Sequence, residues 1–183
     1  MRTLLVSFSL LLAACSSQPV QIAYYQLAPL PAVTATAQPL PALQIQPLRV
    51  ASYLNGSGLV LQQSAVEYQI ARQHLWADAL QQQMQRQLTQ YLLLALPQQP
   101  LATGSTPAPR QLWLEIDRFN ADAAGQAVLS GRYRLSSAER EYYQPFEYQV
   151  ALTADGYPAM VAALSEAWQQ LLQDLASKLK AGV

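Results

Sequence analysis

The fold is decided by three segments in the C-terminal half: QLWLEIDRF (residues 111–119), VLSGRYRL (residues 128–135) and YYQPFEYQVAL (residues 142–152). Apolar and polar side chains alternate along each segment, which is the pattern of a strand with one buried face. A turn at residues 123–125 separates the first two segments. Together the three segments predict an antiparallel meander whose second face is open to solvent.

The polar face of this meander carries opposite charges on neighbouring strands. Arg132 and Arg134 alternate with apolar residues, as do Glu115 and Asp117 on the preceding strand. Cross-strand pairing of the arginines with the carboxylates is therefore expected. Two carboxylates at this spacing would also suit acid–base chemistry, but a solvated, ion-paired stripe is the favoured interpretation.

Two amphipathic helices are predicted around the meander. In the first, apolar residues recur at i+4 from Trp76 to Leu92, and Pro97 ends the helix. The second begins near Pro158, and its last turn carries lysines at 178 and 180. The first helix has a glutamine-rich face at residues 81–83, 85, 87 and 90. That face is interpreted as solvated, with a partner interface as the alternative.

The N-terminal half predicts short strands separated by proline-rich and glycine-rich breaks. In order, the expected elements are a β-prone run at Tyr24–Leu27, a loop at Pro29–Pro41, a strand at Leu43–Tyr53 interrupted by Pro47, a turn at Asn55–Gly58, and strands at Leu59–Leu61 and Ala65–Ala71. In the last strand, Val66, Tyr68 and Ile70 alternate with polar residues, which indicates a half-buried strand. The whole pattern predicts a single α+β domain, with two helices on one face of a largely antiparallel sheet.

The N-terminus predicts an export signal that ends in a lipid attachment site. Arg2 precedes an apolar run at Leu4–Leu12, which is too short to span a bilayer as a helix. The stretch Leu12-Ala13-Ala14-Cys15 is similar to a bacterial lipobox. We therefore expect a signal peptide at 1–14, lipidation of Cys15, a tether at 15–23 and a periplasmic domain at 24–183. An ordinary secretory signal with a cysteine near its cleavage site is the alternative.

Composition excludes several classes of protein. Of 183 residues, 51% are hydrophobic and 12% are charged, which is typical of a globular chain. The formal net charge is zero and no basic cluster occurs, which argues against nucleic acid as a partner. The chain has one cysteine, so an intrachain disulfide is excluded.

No catalytic, metal-binding or cofactor-binding motif is found, and we predict that the protein is not an enzyme. His74 is the only histidine and has no recognisable catalytic partner in the sequence. Gly56-Ser57-Gly58 does not satisfy the Gly-x-Ser-x-Gly motif of hydrolases. Several tyrosines could line a groove for an acyl chain or a peptide, although packing on the sheet is their commoner role. They are Tyr24, Tyr25, Tyr53, Tyr68, Tyr142 and Tyr143.

Short stretches along most of the chain resemble one family, the PqiC (YmbA) lipoproteins, which are auxiliary subunits of MCE-type transport systems. The resemblance is carried by Cys15-Ser16-Ser17, Tyr24–Leu27, Tyr53-Leu54-x-Gly56-x-Gly58-x-Val60, Ser64-x-Val66-x-Tyr68-x-Ile70-Ala71, Leu75-Trp76-Ala77 with Leu80, Phe119-Asn120, Leu129-Ser130-Gly131 and Asp155-Gly156-Tyr157 with Met160-Val161 and Trp168. The proline-rich loops at 29–41 and 98–109 contribute nothing to it.

The resemblance implies a role in positioning rather than catalysis. A protein of this kind is anchored in the outer membrane, faces the periplasm and docks a periplasm-spanning MCE-domain protein in intermembrane lipid transport. Ser16, in place of an aspartate that would retain the protein in the inner membrane, agrees with this location. A homo-oligomeric ring is a further hypothesis. The alternatives are a lipid carrier that holds an acyl chain between sheet and helices and, least favoured, a hydrolase.

Overall fold

The computed structural model describes residues 20–36, 38–102, 106–107 and 109–182. They form an eight-stranded sheet and two helices, and the chain is an α+β domain as predicted. The strands are β1 (Ala23–Tyr25), β2 (Leu43–Ile45), β3 (Arg49–Val50), β4 (Gly58–Gln62), β5 (Tyr68–Trp76), β6 (Arg110–Asp122), β7 (Gln126–Ser136) and β8 (Glu141–Ala151). The helices are α1 (Leu80–Ala95) and α2 (Tyr157–Lys180).

The predicted meander is confirmed as β6, β7 and β8, which pair antiparallel in chain order. Leu112, Leu114 and Ile116 of β6 are buried against the helices, while the intervening side chains lie on the outer face of the sheet. A bulge between Ile116 and Arg118 shifts the register of β6 against β7. Because a bulge strengthens the local twist, it helps the sheet to curve around the helices.

The N-terminal segment lies alongside β6 as an interrupted parallel strand. β2 pairs with residues 110–112 of β6, β3 with residues 115–116, and β4 with residues 121–122. A short 3-10 turn at Ser52–Leu54 separates β3 from β4. The strand predicted at Leu43–Tyr53 is thus two short strands, because the ring of Pro47 removes a backbone donor between them.

The sheet order is β1–β5–β4–β6–β7–β8, so β1 and β8 lie at opposite edges. β4 and β5 form an antiparallel hairpin, and β1 adds to β5 in parallel through three residues only. The sheet is therefore mixed, although its longest pairings are antiparallel.

One face of the sheet is covered by the two helices. Leu164, Trp168, Leu171 and Leu175 of α2 are fully buried, and α1 contributes a second apolar stripe that includes Met84. The sheet also forms a hydrogen bond to the C-terminal end of α2: Nη1 of Arg110 in β6 donates to the Leu179 carbonyl oxygen at 3.0 Å. A cation at this position is favourable for the helix dipole.

Two local predictions are wrong. Trp76 ends β5 rather than opening α1, and it packs against Phe119 in the core. The strand predicted at Ala65–Ala71 runs from Tyr68 to Trp76, and Val66, Tyr68 and Ile70 are exposed rather than buried. The alternation of apolar and polar residues correctly predicted a strand here, but the prediction that its apolar side chains are buried is wrong.

Gly131 provides a test of this architecture, because it lies beside the bulge in β6. A Cβ atom at this position would collide with the Glu115 carbonyl oxygen and contact the Phe146 ring. We expect Gly131→Ala to lower the free energy of unfolding by about 1–3 kcal/mol, as overpacking does. Gly56→Ala is the control, because a Cβ atom added there would have nothing within 4 Å. Equal urea midpoints for the two variants would contradict the proposed close approach.

Candidate functional site

The predicted lipidation site, Cys15, lies outside the described residues. The described chain begins at Val20, five residues later, and reaches β1 at Ala23. Neither α1 nor α2 has the combination of length and hydropathy that crossing a membrane requires.

The glutamines of α1 bind the chain's own backbone. Leu48 is fully buried, and its amide donates to Oε1 of Gln85 at 2.6 Å, while its carbonyl oxygen accepts from Nε2 of Gln81 at 2.7 Å. The buried Gln83 accepts from the Leu27 amide at 3.0 Å and donates to the Asp78 carbonyl oxygen at 2.7 Å. These side chains therefore replace the strand partners that the irregular N-terminal segment lacks.

The charged residues of the meander form a cluster on its outer face. Arg132 pairs with Glu115 and Asp117 as predicted, whereas Arg134 pairs with Glu141 of β8 instead. Nη2 of Arg132 lies 2.7 Å from Oε2 of Glu115, and Nη1 lies 3.2 Å from Oδ2 of Asp117. The bond to Glu115 raises the pKa of the Arg132 guanidinium above its ordinary value. One arginine thus contacts both carboxylates, an arrangement that suits a structural ion-paired cluster better than a general acid or base.

Beside this cluster lies an open groove of about 650 Å³, lined by residues from β6, β7 and β8 and from the Pro47 loop. The guanidinium of Arg134 is 3.6 Å from the centre of the Trp113 ring and donates to Oε1 of Glu141 at 2.9 Å. Tyr143 extends from the adjacent strand with 59% of its surface exposed. We call this surface the meander groove; its wall of Trp, Tyr and Arg has the composition of a protein-binding site.

His74 lies in β5 and is enclosed by two tyrosines. Its Nδ1 is 2.9 Å from the Tyr25 hydroxyl, and its ring stacks on Tyr157 of α2 with centroids 3.8 Å apart. The part of the chain that the structure describes places no carboxylate in hydrogen-bond contact with this ring. His74 therefore joins β1, β5 and α2, and this packing accounts for its presence without catalysis.

The six tyrosines singled out in the sequence do not converge on one groove. The ring of Tyr53 contacts that of Tyr68 in a tilted arrangement with centroids 5.1 Å apart, and its hydroxyl donates to the Asp117 carbonyl oxygen at 3.0 Å. Burial raises the pKa of Tyr53 to about 12. Tyr24 lies exposed at one sheet edge and Tyr143 in the meander groove near the other.

The space between helices and sheet offers little support for a carrier of acyl chains. Trp168 and its neighbours on α2 fill this layer and are fully buried. A cavity of about 170 Å³ lies at the start of α2, between Leu61, Tyr157 and Met160. Ligand sites generally occupy about 300–1,000 Å³, so this cavity is small for a lipid.

Comparison with models of protein families shows to which family the chain belongs. The model of the ABC-type transport auxiliary lipoprotein component family matches residues 25–176, which include both helices almost entirely and every strand from β2 to β8. The chain belongs to this family. It is also 33% identical to the intermembrane transport lipoprotein PqiC of Escherichia coli K12, over 94% of each chain. The same identity and coverage are found for PqiC of Shigella flexneri. The resemblance read from the sequence is thereby confirmed.

Solved structures agree with the fold. A crystal structure of an uncharacterised protein, 30% identical, superposes with a TM-score of 0.71 over 87% of this chain and 99% of that chain. A protein from Xanthomonas campestris, 15% identical, gives the same TM-score and the same coverage. The second likeness shows the fold alone.

Sequence reasoning missed the meander groove and the function of the glutamines. The groove requires Pro47 and Arg49 to approach β6, and no periodicity in the N-terminal half indicates that register. For the glutamines there was a signal: a proline-interrupted segment needs backbone partners, and a row of uncharged amides on the neighbouring helix can supply both donors and acceptors.

The contacts of Gln83 lead to a stability prediction. Gln83→Ala leaves the buried Leu27 amide without its acceptor and the Asp78 carbonyl oxygen without its donor. We expect a loss of about 1–3 kcal/mol in the free energy of unfolding, measured by urea titration. Gln82→Ala, on the exposed side of α1, should change it by less than about 0.5 kcal/mol. If both variants unfold at the same urea concentration, the Gln83 contacts contribute nothing measurable.

Proposed function

We propose that the protein is an outer-membrane lipoprotein that faces the periplasm and docks a periplasm-spanning MCE-domain protein in intermembrane lipid transport. The observation that carries this proposal is the family match over residues 25–176 together with the relatives' description as intermembrane transport lipoproteins. Its role is to position a partner at the bilayer, and it is not an enzyme.

The lipid anchor is the first part of the proposed mechanism. Acylation of Cys15 would attach the chain through more than one acyl chain, which meets the requirement for stable membrane binding. Ser16, rather than an aspartate, is consistent with transfer to the outer membrane. The tether at 15–23 would keep the domain close to the bilayer, since an extended chain spans at most about 3.3–3.6 Å per residue.

The meander groove is the second part, as the surface that receives the MCE-domain protein. Its exposed Tyr143 and the Arg134–Trp113 stack offer the aromatic and guanidinium groups that contribute most to protein interfaces. Three arginines and three carboxylates balance in and beside the groove, so it suits a partner of low net charge. They are Arg49, Arg132, Arg134, Glu115, Asp117 and Glu141. A homo-oligomeric ring of this subunit would present several grooves to a symmetric partner.

Substitution of the anchor tests the membrane attachment. A Cys15→Ala protein should fold normally, move from the membrane fraction to the soluble fraction and fail to complement a deletion strain. Ser16→Asp is the matched control, because it keeps the acylated cysteine and should move the protein to the inner membrane. Full complementation by Cys15→Ala would overturn the proposed anchoring role.

Photocrosslinking in intact cells tests the docking surface. We expect a photoreactive residue at Tyr143 to crosslink to the MCE-domain protein, identified by mass spectrometry of the larger product. Ala162 and Glu166, exposed on α2, are the control positions. Crosslinks to the MCE-domain protein from α2 but not from Tyr143 would show that the partner binds the helical side instead.

A further inference from the structure

Exposed apolar side chains are concentrated at the β1–β5 side of the sheet. Among the described residues, ten large apolar side chains are exposed, and six of them lie on β1, on β5 or next to these strands. The six are Val20 (66% exposed), Ile22 (49%), Tyr24 (65%), Val66 (91%), Tyr68 (39%) and Ile70 (49%). We call these six residues the outer band.

The β1 part of the outer band points away from the helices. Tyr25 contacts His74, which in turn stacks on Tyr157 of α2, so the side chain of Tyr25 is on the helical face. Successive side chains of a strand point to opposite faces, and Tyr24 is therefore on the outer face. Ile22 and Val20 continue the same two-residue spacing before the strand.

The β5 part lies on the same face. Leu61 of β4 lines a small cavity with Met160 of α2, so its neighbour Val60 lies on the opposite face of the sheet, where it is nevertheless buried (2% exposed). Ile70 is opposite Val60 in the antiparallel pairing, and directly opposed residues share a face. Tyr68, two residues before Ile70 in β5, lies on this outer face as well.

The start of the described chain indicates what covers the outer band. Val20 is five residues after Cys15, so it cannot be more than about 18 Å from that residue. An anchored chain would therefore enter the domain at the outer band itself. The aromatic part of the band consists of tyrosines, whose rings and hydroxyl groups suit the boundary between acyl chains and headgroups. Arg72 of β5 and Glu67, which directly precedes this strand, have opposite charges, so the band is close to neutral.

We propose that the outer band is the surface on which the domain rests on the lipid bilayer, with Ile22, Tyr24 and Ile70 in the interfacial region. This inference rests on the proposed function, because the anchor at Cys15 holds the band at the membrane. Contact by six side chains alone would be weak, whereas the tether keeps their local concentration near the bilayer high. The band then fixes the orientation of the domain.

The outer band and the meander groove belong to different parts of one twisted sheet. Five strand-to-strand steps separate β1 from β8, and each turns the sheet by about 20–25°, which amounts to about 100–125° across it. A domain that rests on the band would therefore direct the groove along or away from the membrane, where a periplasmic partner can reach it.

Depth-dependent quenching in vesicles tests the proposal with the full-length lipoprotein. Acylated Cys15 has its sulfur in a thioether, so an introduced cysteine is the only reactive thiol. Single variants Ile22→Cys, Tyr24→Cys and Ile70→Cys are labelled with a bimane fluorophore. Ala162→Cys and Glu166→Cys on α2 are the controls. The vesicles consist of phosphatidylethanolamine and phosphatidylglycerol, with a phospholipid that carries a nitroxide on its acyl chain.

We expect quenching to be at least threefold stronger at the three band positions than at the two controls. All five are at exposed or half-exposed sites, where substitution has little effect on folding. Mass spectrometry of the N-terminal peptide establishes acylation in the same sample. Absence of acyl chains would overturn the anchor and the band together, whereas an acylated protein with equal quenching at both sets of positions would overturn the band alone. Crosslinks between band positions of two copies in vesicles would overturn it in favour of self-association.

Discussion

The fold requires hydrogen-bond partners for the backbone of the N-terminal segment, because prolines prevent this segment from forming a continuous strand. Residues 27–36 and 38–48 run along the domain with only three residues in β2, and they bury Leu27, Leu43 and Leu48 in the core. A buried amide or carbonyl group without a partner costs about 1–3 kcal/mol, so several such groups would consume most of the stability of a domain. Glutamines on α1 and α2 supply the partners, as Gln85, Gln87 and Gln169 do for Leu48, Ala28 and Pro29.

This constraint explains why some elements were predictable and others were not. The meander and both helices could be predicted because each has its own period and buries a face that the period defines, as in β6 and α2. The N-terminal strands lie where β6 offers unpaired backbone, and their register depends on contacts distant in sequence, such as Gln46 with Leu112. Short-range patterns contain no information about such contacts.

The exposed apolar face of β5 is the most instructive error. Alternation along Val66, Tyr68 and Ile70 predicts a buried face, and in the structure that face is outside. Local sequence indicates that one side of a strand prefers an apolar environment, but it does not identify what provides that environment. An irregularity of β5 between Ile70 and Leu75 reverses the alternation of its side chains, so Trp76 packs on the helical face while Tyr68 and Ile70 remain available for a second surface.

The two faces of the sheet carry different side chains, and this difference is relevant to how the protein could bind a partner and a membrane. The helical face is filled by large apolar side chains, and its cavity at the start of α2 measures only about 170 Å³. The outer face combines apolar side chains near β1 with the neutralised charges and aromatic groups of the meander groove. Tyr53 joins the two regions, since its ring contacts Tyr68 and its hydroxyl donates to the Asp117 carbonyl oxygen. If the outer band rests on the bilayer and the meander groove binds a partner, as proposed, the single sheet that carries both surfaces would hold the partner in a fixed orientation at the membrane.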